Sequence, residues 1–220
     1  MVSQSNLTDA QAVLVADASV VISVNATGNG NQIIKALAKR IVVVEAVLDE
    51  LEHGRQKKRT DADLLKKLVE EGQVEIVELD PAGEAHFEQL VVGPAQSTLD
   101  DGEAATVAHA AAINGVALID ERKANRICSE RFPELRIAST VDIFLHPNVQ
   151  GQLGNTALAD AVFNALCKGR MRVLPQHLSW VVNLIGAERA QVCASLPRAA
   201  RVARSDKTHA VAAGANEDQQ

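Results

Sequence analysis

Residues 100–121 read DDGEAATVAHAAAINGVALIDE. Acids open the stretch, alanines fill it, and Asn114 with Gly115 closes it. That order predicts a helix over Asp100 to Asn114. Alanine is the best helix former, acids suit the positive end of the helix dipole, and Asn and Gly accept the left-handed backbone that ends a helix. The run Val116 to Ile119 follows at once and ends on Asp120 and Glu121. A short, wholly apolar strand entered from a helix is the repeating half of a parallel sheet covered on both faces.

Working outward, the same alternation recurs. Val13 to Ala16 is an apolar run that stops at Asp17, and Ile41 to Val44 is another, placed after a helical segment from Gln32 to Lys39. Val74 to Leu79 alternates as a partly solvated strand, and Leu135 to Ala138 reads as a short fifth one. Helices are expected over Glu45 to His53, where Val47, Leu48 and Leu51 fall at helical spacing before Gly54, and over Asp61 to Glu71, Gly83 to Val91 and Arg122 to Arg131. The fold class is therefore α/β, a central and mostly parallel sheet of about five strands flanked by helices. Beyond Pro147 the strand pattern stops. The expected organisation is a polar leader over 1–12, a sheet domain over 13–147, a helical extension over 148–197 with helices near 155–168 and 176–196, and a disordered tail over 198–220.

At 220 residues and 47% hydrophobic content the chain can bury a real core, but only 2% is aromatic, so Val, Ile, Leu and Ala must build it. No apolar run approaches the roughly 18 residues of a membrane span, which points to a cytoplasmic protein with no membrane partner. Cys128, Cys167 and Cys193 are widely spaced and outside any paired-ligand pattern, so buried thiols are expected rather than a disulfide or a zinc site. A formal charge of −6 excludes a protein that holds nucleic acid by bulk electrostatics. Local positive charge is left: Arg55, Lys57, Lys58 and Arg59, then Arg122, Lys123 and Arg126, then Lys168, Arg170 and Arg172. Arg55, Lys57, Lys58, Arg122 and Lys123 are the candidate nucleic-acid contacts, with solvated helix faces as the plainer explanation.

The acids carry the chemistry. Ligands of open parallel sheets bind outside the carboxyl ends of the strands, where Asp17, Asp120 and Glu121 fall. Glu103 at a helix start and Glu50 on the helix after the second strand belong to the same edge. Each has a structural explanation: Asp17 or Ser19 as a helix cap, Asp100 with Glu103 as a capping box, Glu50 as a surface residue. Together they are harder to explain, because ionised carboxylates about 4 Å apart repel by on the order of 4 kcal/mol per pair at an effective dielectric of 20. A divalent cation relieves that cost, and Mg2+ or Mn2+ suits a set of hard oxygen donors. Such a site would hydrolyse a phosphodiester bond through a metal-activated water, with one ion or two.

Four strings resemble the PIN-domain nucleases, a family that includes the VapC-like toxins of bacterial toxin–antitoxin pairs. They are Val15-Ala-Asp-Ala-Ser19, Val47-Leu-Asp-Glu-Leu51, Leu99-Asp-Asp-Gly-Glu-Ala-Ala-Thr-Val-Ala108 and Ala117-Leu-Ile-Asp-Glu-Arg-Lys-Ala124, spread over about residues 13–145. The resemblance implies a parallel-sheet fold, Mg2+ or Mn2+ at the acids and endonucleolytic cleavage of RNA. It makes Asp17 the first acid, Glu50 the second and Glu103 the third, with the fourth at Asp120 or Glu121. A toxin would add a cognate antitoxin and a homodimer as partners. The alternative is a PIN-like module for binding nucleic acid or protein, in which the acids mainly cap helices. The extension after residue 147 lies outside a minimal PIN domain and either covers a partner or enlarges the domain's own core.

Overall fold

The structure is a computed structural model that describes residues 5–7, 12–55 and 59–201. Lys57 and Lys58, most of the leader and residues 202–220 lie outside the described residues.

The strands are β1 (Leu14–Ala16), β2 (Ile41–Val44), β3 (Glu75–Val77), β4 (Val116–Leu118) and β5 (Arg136–Ala138), in the order β3-β2-β1-β4-β5. All four pairings are parallel, with Val15 opposite Val42 on one side and Ala117 on the other. The chain winds outward from β1 through β2 to β3, then returns to lay β4 on the free side of β1. The direction of winding thus reverses between β1 and β4, the place where an open α/β sheet forms a crevice at its carboxyl edge.

Period-two alternation divides the strand residues between two apolar layers. Leu14, Ile41, Val43, Val116 and Leu118 face one layer, and Val15, Val42, Val44, Ala117 and Ile119 face the other. Burying each Val, Leu or Ile contributes about 1.5–3 kcal/mol. The second layer is closed by α5 (Pro81–Val91), α6 (Asp101–Ala112) and α7 (Arg122–Arg131). The first is closed by α1 (Ala18–Ala26), α2 (Gly30–Leu37), α3 (Glu45–Gly54), α4 (Asp61–Glu70), α8 (Thr140–Leu145) and α9 (Pro147–Cys167). A 3-10 turn at Pro175–His177, α10 (Leu178–Ile185), α11 (Ala187–Val192) and the short α12 (Arg198–Arg201) complete the described chain.

The helix expected over Asp100 to Asn114 forms as α6, and its stop works as its residues dictate. Asn114 takes φ 54°, and Gly115 donates its N–H to the Ala110 carbonyl at 2.8 Å. A Cβ on Gly115 would stand 2.9 Å from the Val13 carbonyl, so only glycine lets the helix end against the start of β1.

Several expectations are corrected. Helix α1 runs for nine residues directly from β1; its string ASVVISVNA is apolar on most of its circumference and has no helical stripe to read. The six-residue α8 is also additional to the expected elements. The helix expected near 155–168 begins earlier, at Pro147, as α9, and its backbone breaks at Gly154, with φ 69° and ψ 167°. Cys128 and Cys193 are buried as expected, whereas Cys167 is exposed and its sulfur lies 3.4 Å from that of Cys193, since α9 and α11 finish side by side. Among the described residues, no helix is long and apolar enough to cross a membrane.

Candidate functional site

Asp17 follows β1 and caps α1 from extended backbone, φ −75° and ψ 161°. Its Oδ2 accepts the Ser19 amide at 3.1 Å and the Ser19 hydroxyl at 2.6 Å, so the cap is Asp17 and Ser19 is its support. The residue is 4% exposed. Burial pushes its carboxyl above the ordinary carboxylate range against the Ser19 bonds, and the charge of Asp100 adds to the rise.

Glu50 approaches from α3. A Cβ built on Gly102 would stand 2.6 Å from Glu50 Oε2, 3.7 Å from Val47 Cγ2 and 3.8 Å from Asp17 Oδ1. Gly102 therefore occupies its place because two carboxylates crowd the spot a side chain would fill, and not because the backbone turns there. Burial first, then Asp17 and Asp100, raise the Glu50 carboxyl, with Arg59 opposing.

Asp100 stands at the cap position of α6 but makes no side-chain capping bond. It shares a hydrogen bond with Glu103 instead, so the two form an acid pair and not the capping box their spacing allows. Glu103 is pushed up to about 8 by burial, by the bond to Asp100 and by the charges of Asp100 and Asp17, with Lys123 opposing. Asp100 is held low, first by the same bond. Burial and the neighbouring acids thus favour the protonated form of Glu103, while the shared bond favours the charged form of Asp100.

Asp120 sits one residue beyond Ile119 and is 1% exposed. Both its oxygens are engaged by Thr140, the amide at 2.8 Å and the hydroxyl at 2.7 Å, so the acid after β4 satisfies the first amide of α8, whose own cap is Ser139. Burial raises its carboxyl to about 6 despite those bonds, and Asp17 and Asp142 contribute. Glu121, at the cap of α7, instead forms an ion pair with Arg172.

All five candidate acids, Asp17, Glu50, Glu103, Asp120 and Glu121, line one cleft of about 210 Å³ at the winding reversal. Asp100 is a sixth that sequence reasoning treated only as a cap; its position three residues before Glu103 was the available signal. The same cleft is lined by Gly169, Arg170, Met171 and Arg172, which no local pattern connects to the acids. Among the described residues no three His, Cys, Asp or Glu side chains gather closely enough to enclose an ion, so the acids form an open row.

The basic candidates divide. Lys123 stands near enough to lower both Glu103 and Asp100, and its neighbour Arg122 is exposed at the start of α7. Arg55 is committed to an ion pair with Asp63 that ties α3 to α4.

Residues 13–187 match the model of a family described as PIN domain. Among solved structures, a chain in the crystal structure of VapBC2 from Rickettsia felis bound to a DNA fragment from their promoter is similar at 18% identity, over 58% of this chain and 98% of that one, with a TM-score of 0.42. No curated protein matches the chain.

Proposed function

Since the chain belongs to the PIN-domain family, we propose that it is a metal-dependent endoribonuclease that hydrolyses RNA phosphodiester bonds in the acid-lined cleft. The observation that carries this reading is the set of carboxyls that line one cleft and are raised together: Asp17 and Glu50, which crowd Gly102, with Glu103 and Asp120. Acids held this way are destabilised unless protonated or matched by a cation.

The donor set fits Mg2+ or Mn2+. Its charged oxygen donors are all carboxylates, and the cleft lining holds no thiol or imidazole. Mg2+ commonly uses only one or two protein carboxylates and keeps its waters, so an open row suits it better than a closed cage. The ion would rest on one or two carboxylates of the set Asp17, Glu50 and Glu103, with Asp120 and Glu121 within the same cleft. When bound, it supplies Lewis-acid chemistry, making water acidic and offsetting the charge that develops on the phosphate. The chain's own residues do the rest. Ser19 fixes the direction of Asp17, Thr140 fixes Asp120, and Glu103 gives up the proton it holds against Asp100, so uptake of the ion tightens as pH rises toward about 8.

A binding module is the second reading, and one observation favours it: Asp17 caps α1 and Asp120 satisfies the first amide of α8. Those roles account for the two acids and leave Glu50 and Glu103 without a structural task. The family resemblance extends the nuclease reading to a cognate antitoxin and a homodimer; neither rests on a feature of the cleft.

The test is cleavage of a structured RNA pool with Mn2+, Mg2+ or chelator by the protein and by Asp17→Asn. Cleavage is expected only with metal and about a thousandfold slower in the variant, the scale of several kcal/mol of charge stabilisation. Equal rates in both proteins would remove Asp17 from the chemistry. Absence of cleavage together with no Mn2+-induced rise in melting temperature would leave the binding module standing.

A further inference from the structure

The turn after α9 lines the same cleft as the acids, and it is built to hold two arginines in place. A Cβ on Gly169 would stand 2.8 Å from the Ala165 carbonyl, 3.0 Å from Ala26 Cβ and 3.1 Å from Ser23 Cα, so the backbone lies directly on α1, the helix that Asp17 caps. Met171 is 1% exposed and donates its N–H to Ala165 at 2.9 Å. Between these two anchors Arg170 takes a left-handed backbone, φ 55°. Such a conformation persists in a non-glycine residue only when its surroundings impose it. All four residues of the turn line the cleft, with Met171 buried and Arg170 and Arg172 exposed.

The acids of the cleft repel a polyanion, so a polynucleotide needs positive charge within reach of the same cleft. Arg172 pairs with Glu121 while its side chain stays 63% exposed, and its charge is felt at Asp100. Arg170 has no carboxylate partner among the described residues. A guanidinium presents a planar fork of donors that matches two phosphate oxygens at once.

We infer that the Gly169–Arg172 turn is a phosphate clamp, in which Arg170 and Arg172 hold the RNA backbone in the same cleft as the acids and Arg172 exchanges Glu121 for phosphate. The identity of the polyanion rests on the nuclease reading; the clamp itself is a binding property and can be tested without cleavage. It also gives the helical extension a share in the site.

The experiment is fluorescence anisotropy of a labelled single-stranded RNA of mixed sequence, titrated with the full chain at several NaCl concentrations. Ca2+ replaces Mg2+ and Mn2+ to suppress cleavage. Arg170→Ala and Arg172→Ala should each weaken binding about tenfold or more, the scale of a lost charge-assisted hydrogen bond. Each should also flatten the logarithmic salt slope by about 0.7, as expected for one phosphate contact to a single strand. Arg172→Lys, which keeps charge without the fork, should fall between wild type and Arg172→Ala. All three should keep the Mn2+-induced rise in melting temperature. Unchanged affinity and salt slope in the double alanine variant would overturn the clamp and reduce the arginines to counter-charges for the acids. Absence of salt-dependent RNA binding by the wild-type chain would overturn it as well. Arginine-dependent binding without cleavage in any metal would sink the nuclease reading and leave the clamp standing.

Discussion

Asp120 and Asp142 are both 1% exposed, yet their carboxyls end on opposite sides of the ordinary value: Asp120 is raised to about 6 and Asp142 is held low. The difference lies in donors. Burial alone would push Asp142 up as well, but His177, Ser139 and Asn6 overcome it. Its Oδ2 accepts the Ser139 amide at 2.8 Å and hydroxyl at 2.7 Å, its Oδ1 accepts the Asn6 amide at 3.1 Å, and His177 Nε2 stands 3.4 Å from Oδ2, at the edge of hydrogen-bonding distance. Ser5 adds a bond to the Asp142 carbonyl at 2.8 Å. Three distant parts of the chain, the leader, α8 and the 3-10 turn, are knotted on one satisfied charge. Asp120 has the two donors of Thr140 and two acids among its neighbours. A buried carboxylate with a full set of donors serves structure, and one left short of them is available to a cation.

The contrast is broken most forcefully at Asp142. Asp142→Asn should cost about 3 kcal/mol or more in urea unfolding, as when one partner is removed from a buried charged cluster. Because the folded carboxyl lies below its unfolded value of 3.8, its contribution is present above that pH and disappears as pH falls through the folded value. A loss under ~1 kcal/mol would mean that the knot is ornamental.

Glu103 should behave in the opposite sense. Its folded carboxyl is raised from 4.5 to about 8, so its favourable contribution is complete below pH 4.5 and is lost as pH rises through about 8. In metal-free protein Glu103→Gln should therefore stabilise by on the order of 2 kcal/mol above that pH, less than the whole shift would give because the pair is partly solvated. The gain should vanish in acid. Thermal melts from pH 4 to 9 check it, and a variant destabilised equally at every pH would contradict the account of the acid pair.

The smallest expected change in stability is at Gly102. Gly102→Ala places a methyl against the far end of the Glu50 side chain, which can swing away, so unfolding should change by less than ~1 kcal/mol. Mn2+ affinity, read by calorimetry, should nonetheless fall about tenfold, since a displaced ligand costs on that order. Unaltered affinity would separate Glu50 from the ion site.

Much of the frame was legible because it rests on short-range rules. The β2 boundaries matched the apolar run Ile41 to Val44, and α7 matched Arg122 to Arg131, since periodicity and breakers act within a few residues. Helix α1 was legible only at its cap, Asp17 or Ser19, and its extent escaped because a nearly all-apolar, β-branched string carries no period. The cleft was partly legible. The rule that acids after parallel strands share one edge brought Asp17, Asp120 and Glu121 together, and Glu50 and Glu103 with them. It could not indicate that Glu103 would turn to Asp100 rather than to a backbone amide, nor that Asp120 would satisfy the first amide of α8.

The sequence by itself determined the parallel α/β sheet, the edge at which the acids collect and the family to which the chain belongs, because strand periodicity, helix stops and the motif residues are all local. Only the tertiary structure decided which acid favours its protonated form, which carboxylate is knotted into the frame, and that Arg170 and Arg172 share the cleft with the acids. A carboxyl's charge depends on the donors and charges within a few ångströms, and here those come from Thr140, Asp100, His177 and Arg172, brought together by packing from separate parts of the chain.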